Sequence, residues 1–196
     1  MVFIMPASAT AKHYWSIVLL LFFSSICTVH ASTFSITSAH VTQIGNGHVL
    51  NASIESPLSP RIVEAIDNGV PVIFLQEFKL IDRTPLLGIY WQWEETLWTT
   101  VIRHELRYHA LSQQYILRDI GTDQQRPFSD INDALHALGK VRNLTLPPEH
   151  LTDTNHLILL LRSGIDLYAL PTPMRPGALI SSKWQLTSPW TPAQWH

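Results

Sequence analysis

Polar and apolar residues alternate through residues 97–119. Trp98, Ile102, Leu106, Tyr108 and Ala110 fall on one parity; Thr99, Arg103, Glu105, Arg107 and His109 fall on the other. Successive side chains of a strand point to opposite faces, so this period predicts an apolar row on a core and a charged row in water. Ser112-Gln113-Gln114 turns the chain back along Tyr115 and Leu117. The stretch reads as a long β-hairpin at the centre of a mostly antiparallel sheet.

The two-residue period recurs. Residues 33–44 set Phe34, Ile36 and Val41 among Thr and Ser. Gly45-Asn46-Gly47 then supplies the positive φ of a tight hairpin turn, and residues 48–54 return. Residues 70–81 carry Val70, Val72, Phe74, Phe78 and Leu80 on one parity, interrupted by Gln76, with Ile73 and Leu75 on the other. That is the pattern of a central strand covered on both faces. Asp82-Arg83-Thr84-Pro85 reads as a turn, and residues 86–93 as a further apolar strand ending Trp91-Gln92-Trp93. Residues 140–146 make a short strand, and residues 157–168 a strong one with Gly164 as a bulge or kink. Pro171, Pro173 and Pro176 break the chain before a last strand over residues 180–190, with Trp184 and Leu186 facing in.

Two stretches have a helical period instead. Ser59 caps the first and Pro60 enters its first turn; Ile62, Val63 and Ile66 form one face, and Asn68-Gly69 ends it. Ser129 caps the second, Asp130 and Asp133 occupy its first turn, and Ile131, Ala134, Leu135 and Leu138 line one side before Gly139. Residues 121–127 between hairpin and helix form a polar loop. About eight strands and two short helices predict a mainly β fold: an antiparallel β-sandwich or open barrel in one domain over residues 32–196.

Residues 1–31 break this pattern. Lys12 and His13 precede an apolar run, and small residues lead to Val29-His30-Ala31. This is the order of an export signal, with cleavage expected after Ala31. The alternative is an uncut signal anchor in the inner membrane, facing the periplasm; its strongly apolar part is shorter than the ~20 residues that span a bilayer. The rest of the chain then lies in the periplasm, with membrane contact only through the N-terminal segment if that is kept.

Composition narrows the functional classes. The 196 residues are 46% hydrophobic and only 14% charged, with a net charge of -2. That balance excludes a disordered chain and offers no basic footprint for nucleic acid. Losing Lys12 with the signal leaves 12 Lys and Arg against 15 Asp and Glu. Cys27, the single cysteine, lies in the apolar run, so thiol catalysis, disulfides and zinc–cysteine sites are excluded from the exported part.

The remaining chemistry is sparse. His104, Glu105 and His109 are metal or acid–base residue types, yet parity sends His104 to the apolar face and the other two to the polar one. Zinc needs three or four converging ligands. Arg103, Glu105, Arg107 and His109 instead read as a charge ladder on a solvated face. No Gly-x-Ser-x-Gly, phosphate loop or dinucleotide glycine pattern occurs. No enzymatic activity and no cofactor or metal are expected. Trp91 and Trp93 share a face when extended, and exposed rings there would form a platform for a sugar or a partner. Trp98 and Trp184 read as core.

Several segments carry a resemblance in order. They are Leu-Ser-Pro-Arg-Ile-Val-Glu-Ala-Ile-Asp-Asn-Gly-Val-Pro-Val-Ile-Phe at residues 58–74, Leu-Arg-Tyr-His-Ala-Leu at 106–111 with Tyr115, and Asp-Ala-Leu-His-Ala-Leu-Gly at 133–139. Leu170-Pro-Thr-Pro173 and Lys183-Trp-Gln-Leu-Thr-Ser-Pro-Trp190 follow. From about residue 38 to residue 190 the chain resembles the DUF4390 family of bacterial envelope proteins. Ser188-Pro189-Trp190 departs from the family pattern, where the middle residue is not proline. The family has no established activity, so the resemblance carries over no catalytic residues. Members are often encoded near a membrane sensor kinase, which implies envelope signalling by association. The expectation is a non-enzymatic periplasmic binding or adaptor domain whose partner is an envelope or membrane sensor protein. The alternative is a small-ligand or glycan-binding module using exposed tryptophans. The surface residues for either are Trp91, Trp93, Arg103, Glu105, Arg107 and His109.

Overall fold

A computed structural model describes residues 33–85, 92–151 and 154–196. The chain divides into two units, Met1–Ala31 and Ser32–His196, and the described residues all belong to the second. In chain order its elements are β1 (Ser35–Ile44), β2 (Gly47–Glu55), α1 (Pro60–Asp67), β3 (Val72–Pro85), β4 (Gln92–His109), β5 (Gln114–Asp119) and β6 (Gln125–Phe128). There follow α2 (Ile131–Leu138), β7 (Lys140–Thr145), β8 (Leu157–Ile165), α3 (Arg175–Ile180), β9 (Thr191–Pro192) and β10 (Gln194–Trp195).

The strands form two sheets, ordered β10-β1-β2-β7 and β6-β5-β4-β3-β8-β9. Every named pairing is antiparallel except β1 with β10. The fold is sandwich-like, and neither sheet closes into a barrel among the described residues. The larger sheet is too wide for the smaller to cover. Phe78 and Leu80 of β3 and Leu157, Leu159 and Leu161 of β8 pack with Ala39, Val41, Leu50, Ala52 and Ile54 of the small sheet. The other end of the large sheet buries Val72, Phe74, Leu106 and Leu117 under the helices, through Ile62 and Ile66 of α1, Ala134 and Leu138 of α2 and Ala178 of α3.

β3 is central, as its two-sided apolar pattern implied: β4 and β8 flank it. Val72, Phe74, Gln76, Phe78 and Leu80 are buried, while Ile73, Leu75, Glu77 and Lys79 are half-buried. Gln76 is the polar member of the buried row. Its Nε2 donates to the Leu138 carbonyl at 2.7 Å, satisfying one free C=O at the end of α2. β4 alternates as expected: Leu106 is fully buried and Arg103 exposed.

Several local expectations are corrected. Asp82-Arg83-Thr84-Pro85 does not turn; β3 runs on in register to Pro85↔Gln92. Pro85 is tolerated because β8 pairs with β3 only as far as Asp82, so its missing N–H leaves no ladder bond unmade. The strand expected over residues 86–93 falls mostly outside the described residues, and Gln92 and Trp93 open β4 itself. Residues 125–127, expected in a loop, belong to the edge strand Gln125–Phe128, which carries Pro127 where an edge accepts it. Ser59 caps nothing with its side chain; its Oγ donates to the Lys183 carbonyl at 2.7 Å and ties the entry of α1 to the C-terminal segment. Asp130, not Ser129, caps α2, accepting from the Asn132 amide.

Gly164 is no bulge, since β3 and β8 pair without a shift from Asp82↔Leu157 to Phe74↔Ile165. It lies where Thr187 crosses the strand. The strand expected at 180–190 is absent. Residues 175–180 form α3, with Pro176 in the first turn where its lost N–H costs nothing. Trp184 and Leu186 are buried as expected, Trp184 from a turn and Leu186 beside an isolated bridge to β8, where its carbonyl accepts from the Ile165 amide.

Candidate functional site

Three surfaces deserve comparison as sites: the outer face of β4, the tip of the β3–β4 ribbon, and a cleft on the inner face of β4–β6. The outer face holds the predicted ladder. Glu105 is 17% exposed at its side chain, with Arg107 Nε at 3.6 Å and Arg118 at 3.8 Å. Arg118 also binds Asp123 at 2.6 Å, and that hydrogen bond, with the carboxylate charge, raises the guanidinium pKa. His109 ends the row; its Nδ1 accepts from the Ser112 amide at 3.3 Å, steadying the β4–β5 turn. These contacts are structural. Reading the sequence missed a second cluster on the large sheet. Glu77 and Arg162, direct partners across β3 and β8, meet at 2.6 Å, and the Arg162 guanidinium lies 4.5 Å from the Trp190 ring centroid. Only the β3–β8 register makes that trio visible.

Trp93 stands apart from the ladder. From Trp93 to Glu105 is twelve residues of β4, about 40 Å of strand. Leu80 pairs with Trp98 but Ile81 with Thr96, so Leu97 is the extra residue of a bulge. Thr84 then pairs with Trp93, and the register puts Trp93 on the face of Trp98, opposite Arg103. Simple alternation placed them the other way. Trp93 is 64% exposed, while Trp98 is half-buried against the inter-sheet core. Trp91 lies outside the described residues, so the predicted pair is represented by Trp93 alone. β5 begins to pair with β4 only at His104↔Asp119, preceded by the Ile120 amide on the Arg103 carbonyl. Among the described residues, β4 from Gln92 to Ile102 has a ladder partner on one side only. Arg83 and Glu94 clamp this ribbon at 2.6 Å.

The cleft encloses about 590 Å³ where β7 and α2 leave the inner face of β4–β6 uncovered. His104, Asp119 and Arg126 reach it from β4, β5 and β6, with Ile102, Ala137, Val141 and Leu144 as apolar wall. His104 is on the core-facing parity, as expected, but without the hydrogen bond expected of a core histidine. Its Nδ1 is buried and unpartnered, and Nε2 is 3.8 Å from Asp119. Burial is the largest influence and lowers its pKa; Asp119 pulls it up, and the charge of Arg126 adds to the lowering. Among the described residues no three His, Cys, Asp or Glu side chains are grouped to hold a metal, and no helix is long and apolar enough to cross a membrane.

Comparison with known families matches residues 31–194 to a domain of unknown function, DUF4390. No curated protein and no solved structure matches the chain.

Proposed function

We propose, for a chain that belongs to the DUF4390 family, that it is an exported, non-enzymatic adaptor that docks another envelope protein through its β3–β4 ribbon. One observation carries this reading: β4 extends past β5, leaving one edge free of ladder partners among the described residues, with Trp93 exposed along that stretch. A row of unpaired amides and carbonyls is a template for a strand from another chain, and a large exposed ring supplies the anchor. The order of residues 1–31 supports export, and the outer domain of a membrane sensor is the partner class that the family's association with sensor kinases suggests.

The test is a photo-crosslinking residue at position 93 in intact cells. A single membrane-protein adduct, lost when the crosslinker is moved to position 133 on exposed α2, is the expected result. Quenching of tryptophan fluorescence by oligosaccharides, with no protein adduct, would instead assign Trp93 to a glycan platform and overturn the adaptor reading.

A further inference from the structure

Residues 194–196 come back to the small sheet on the side of β1 away from β2. β10 pairs with β1 in parallel, His40 with Gln194 and Val41 with Trp195, and the His196 amide donates to the Val41 carbonyl at 2.9 Å. Val41 is fully buried, so alternation turns His40 to the outer face of the sheet. Trp195 packs against the inter-sheet core, its ring edge-on to His48 at 5.8 Å, and this sends His196 out on the same side as His40. The sequence hides the pair, since 156 positions separate the two histidines.

The two rings meet through their nitrogens. His40 Nδ1 lies 3.1 Å from His196 Nε2, with ring centroids 5.1 Å apart and planes inclined at 39°. Two imidazole nitrogens bound about 2.0–2.1 Å from one ion stand about 2.9 Å apart at a right angle and about 3.3 Å apart at the tetrahedral angle. The observed gap falls between those values. An N–H···N hydrogen bond also spans it, with one ring as donor. An ion takes both lone pairs instead, and the donor ring moves its proton to its far nitrogen. Neither far nitrogen, His40 Nε2 or His196 Nδ1, is hydrogen-bonded to another of the described residues. Lys140 and Arg142 share the outer face on β7, where the Ser53 hydroxyl holds Lys140 at 2.9 Å. β2 lies between, which puts those cations about 10 Å from His40, roughly one Debye length in 0.1 M salt.

We propose that His40 Nδ1 and His196 Nε2 form a two-histidine site for a divalent transition-metal ion, with water in its remaining positions. Two protein ligands are fewer than a closed structural zinc site needs, so the site is open and exchangeable. Imidazole suits copper, nickel and zinc, and the Irving–Williams order makes Cu(II) the tightest of these. The β1–β10 ladder and the packed Trp195 ring place both histidines before the ion arrives, so little freedom is lost on binding. The bound ion then ties β10 to β1 through side chains as well as backbone. This goes beyond the adaptor reading and does not depend on it: crosslinking at position 93 and metal binding on the small sheet are read separately.

The experiment is calorimetric titration of the purified full chain with Cu(II)–nitrilotriacetate. The chelator leaves adjacent positions open on the ion, which paired imidazoles fill together and a lone histidine cannot. One equivalent should bind, and the electron paramagnetic resonance spectrum of the copper should show both imidazole nitrogens. His40→Gln and His196→Gln should each weaken binding about tenfold or more at an unaltered melting temperature. His136→Gln, exposed on α2, should leave binding unchanged. Should one of the two site variants misfold, the other decides the question. No saturable binding, full binding retained by a folded His40→Gln or His196→Gln variant, or an equal loss with His136→Gln would overturn the assignment.

Discussion

A methyl group on Gly139 would collide with the backbone carbonyl oxygen of Ile54, because the Ile54 amide donates to the Gly139 carbonyl at 2.8 Å and pulls the two chains together. Gly139 has an ordinary helical φ, so contact rather than backbone freedom requires glycine there. At Gly164 the same methyl would meet the Thr187 hydroxyl at 3.0 Å and its Cβ at 3.3 Å, a milder crowding that a shift of a few tenths of an ångström relieves. Gly139→Ala should therefore cost about 3 kcal/mol by overpacking, and Gly164→Ala about 1. Urea denaturation would check the order; equal costs would contradict it. His104 gives a second residue-scale expectation. Its native pKa is lowered, so the unfolded chain takes up a proton below about pH 6.5 that the native ring refuses. Stability should fall as pH drops from there until the native ring itself titrates. His104→Gln should flatten that part of the stability–pH curve, read by denaturant midpoints across it.

At the scale of elements, α1 is tied to the hairpin by Tyr115, whose hydroxyl donates to Asp67 at 2.7 Å. That hydrogen bond is the main reason its pKa is pushed up to about 12. An unfolded tyrosine loses its proton near pH 10, so the strut stabilises the fold below that pH and its contribution vanishes as pH rises towards 12. Tyr115→Phe should remove this alkaline decline, and denaturation midpoints from about pH 9 to 12 would show it. The elements most legible in the sequence were those whose period matched their burial: β1, β2, β3, α1, α2 and the β4–β5 hairpin. What escaped had tertiary causes. β6 is polar because it is an edge, so no alternation marks it. α3 is six residues begun by proline, and the burial of Trp184 and Leu186 mimicked a strand. The bulge at Leu97 depends on pairing with Leu80 and Ile81 and reversed the face of Trp93. The cleft is harder still: Arg126, Asp119 and His104 come from three strands, and only sheet order brings them to one place.

On the scale of the folded domain, a wide sheet is half covered by a small sheet and half by helices, and β4, paired with β3 throughout, extends past β5. The ribbon and the cleft each follow from where covering stops. The proposed partner surface and the cleft therefore depend on one arrangement, the alternation of β4 between an inner and an outer face. Single-cysteine labelling along β4 measures that directly, since replacing Cys27 with serine leaves a thiol-free chain. Cysteines at 93, 101 and 103 should react with a maleimide as fast as the unfolded chain does, and those at 102 and 106 should be protected at least tenfold. Protection at 103 with free reaction at 102 and 106, or a period of three to four residues, would contradict the account.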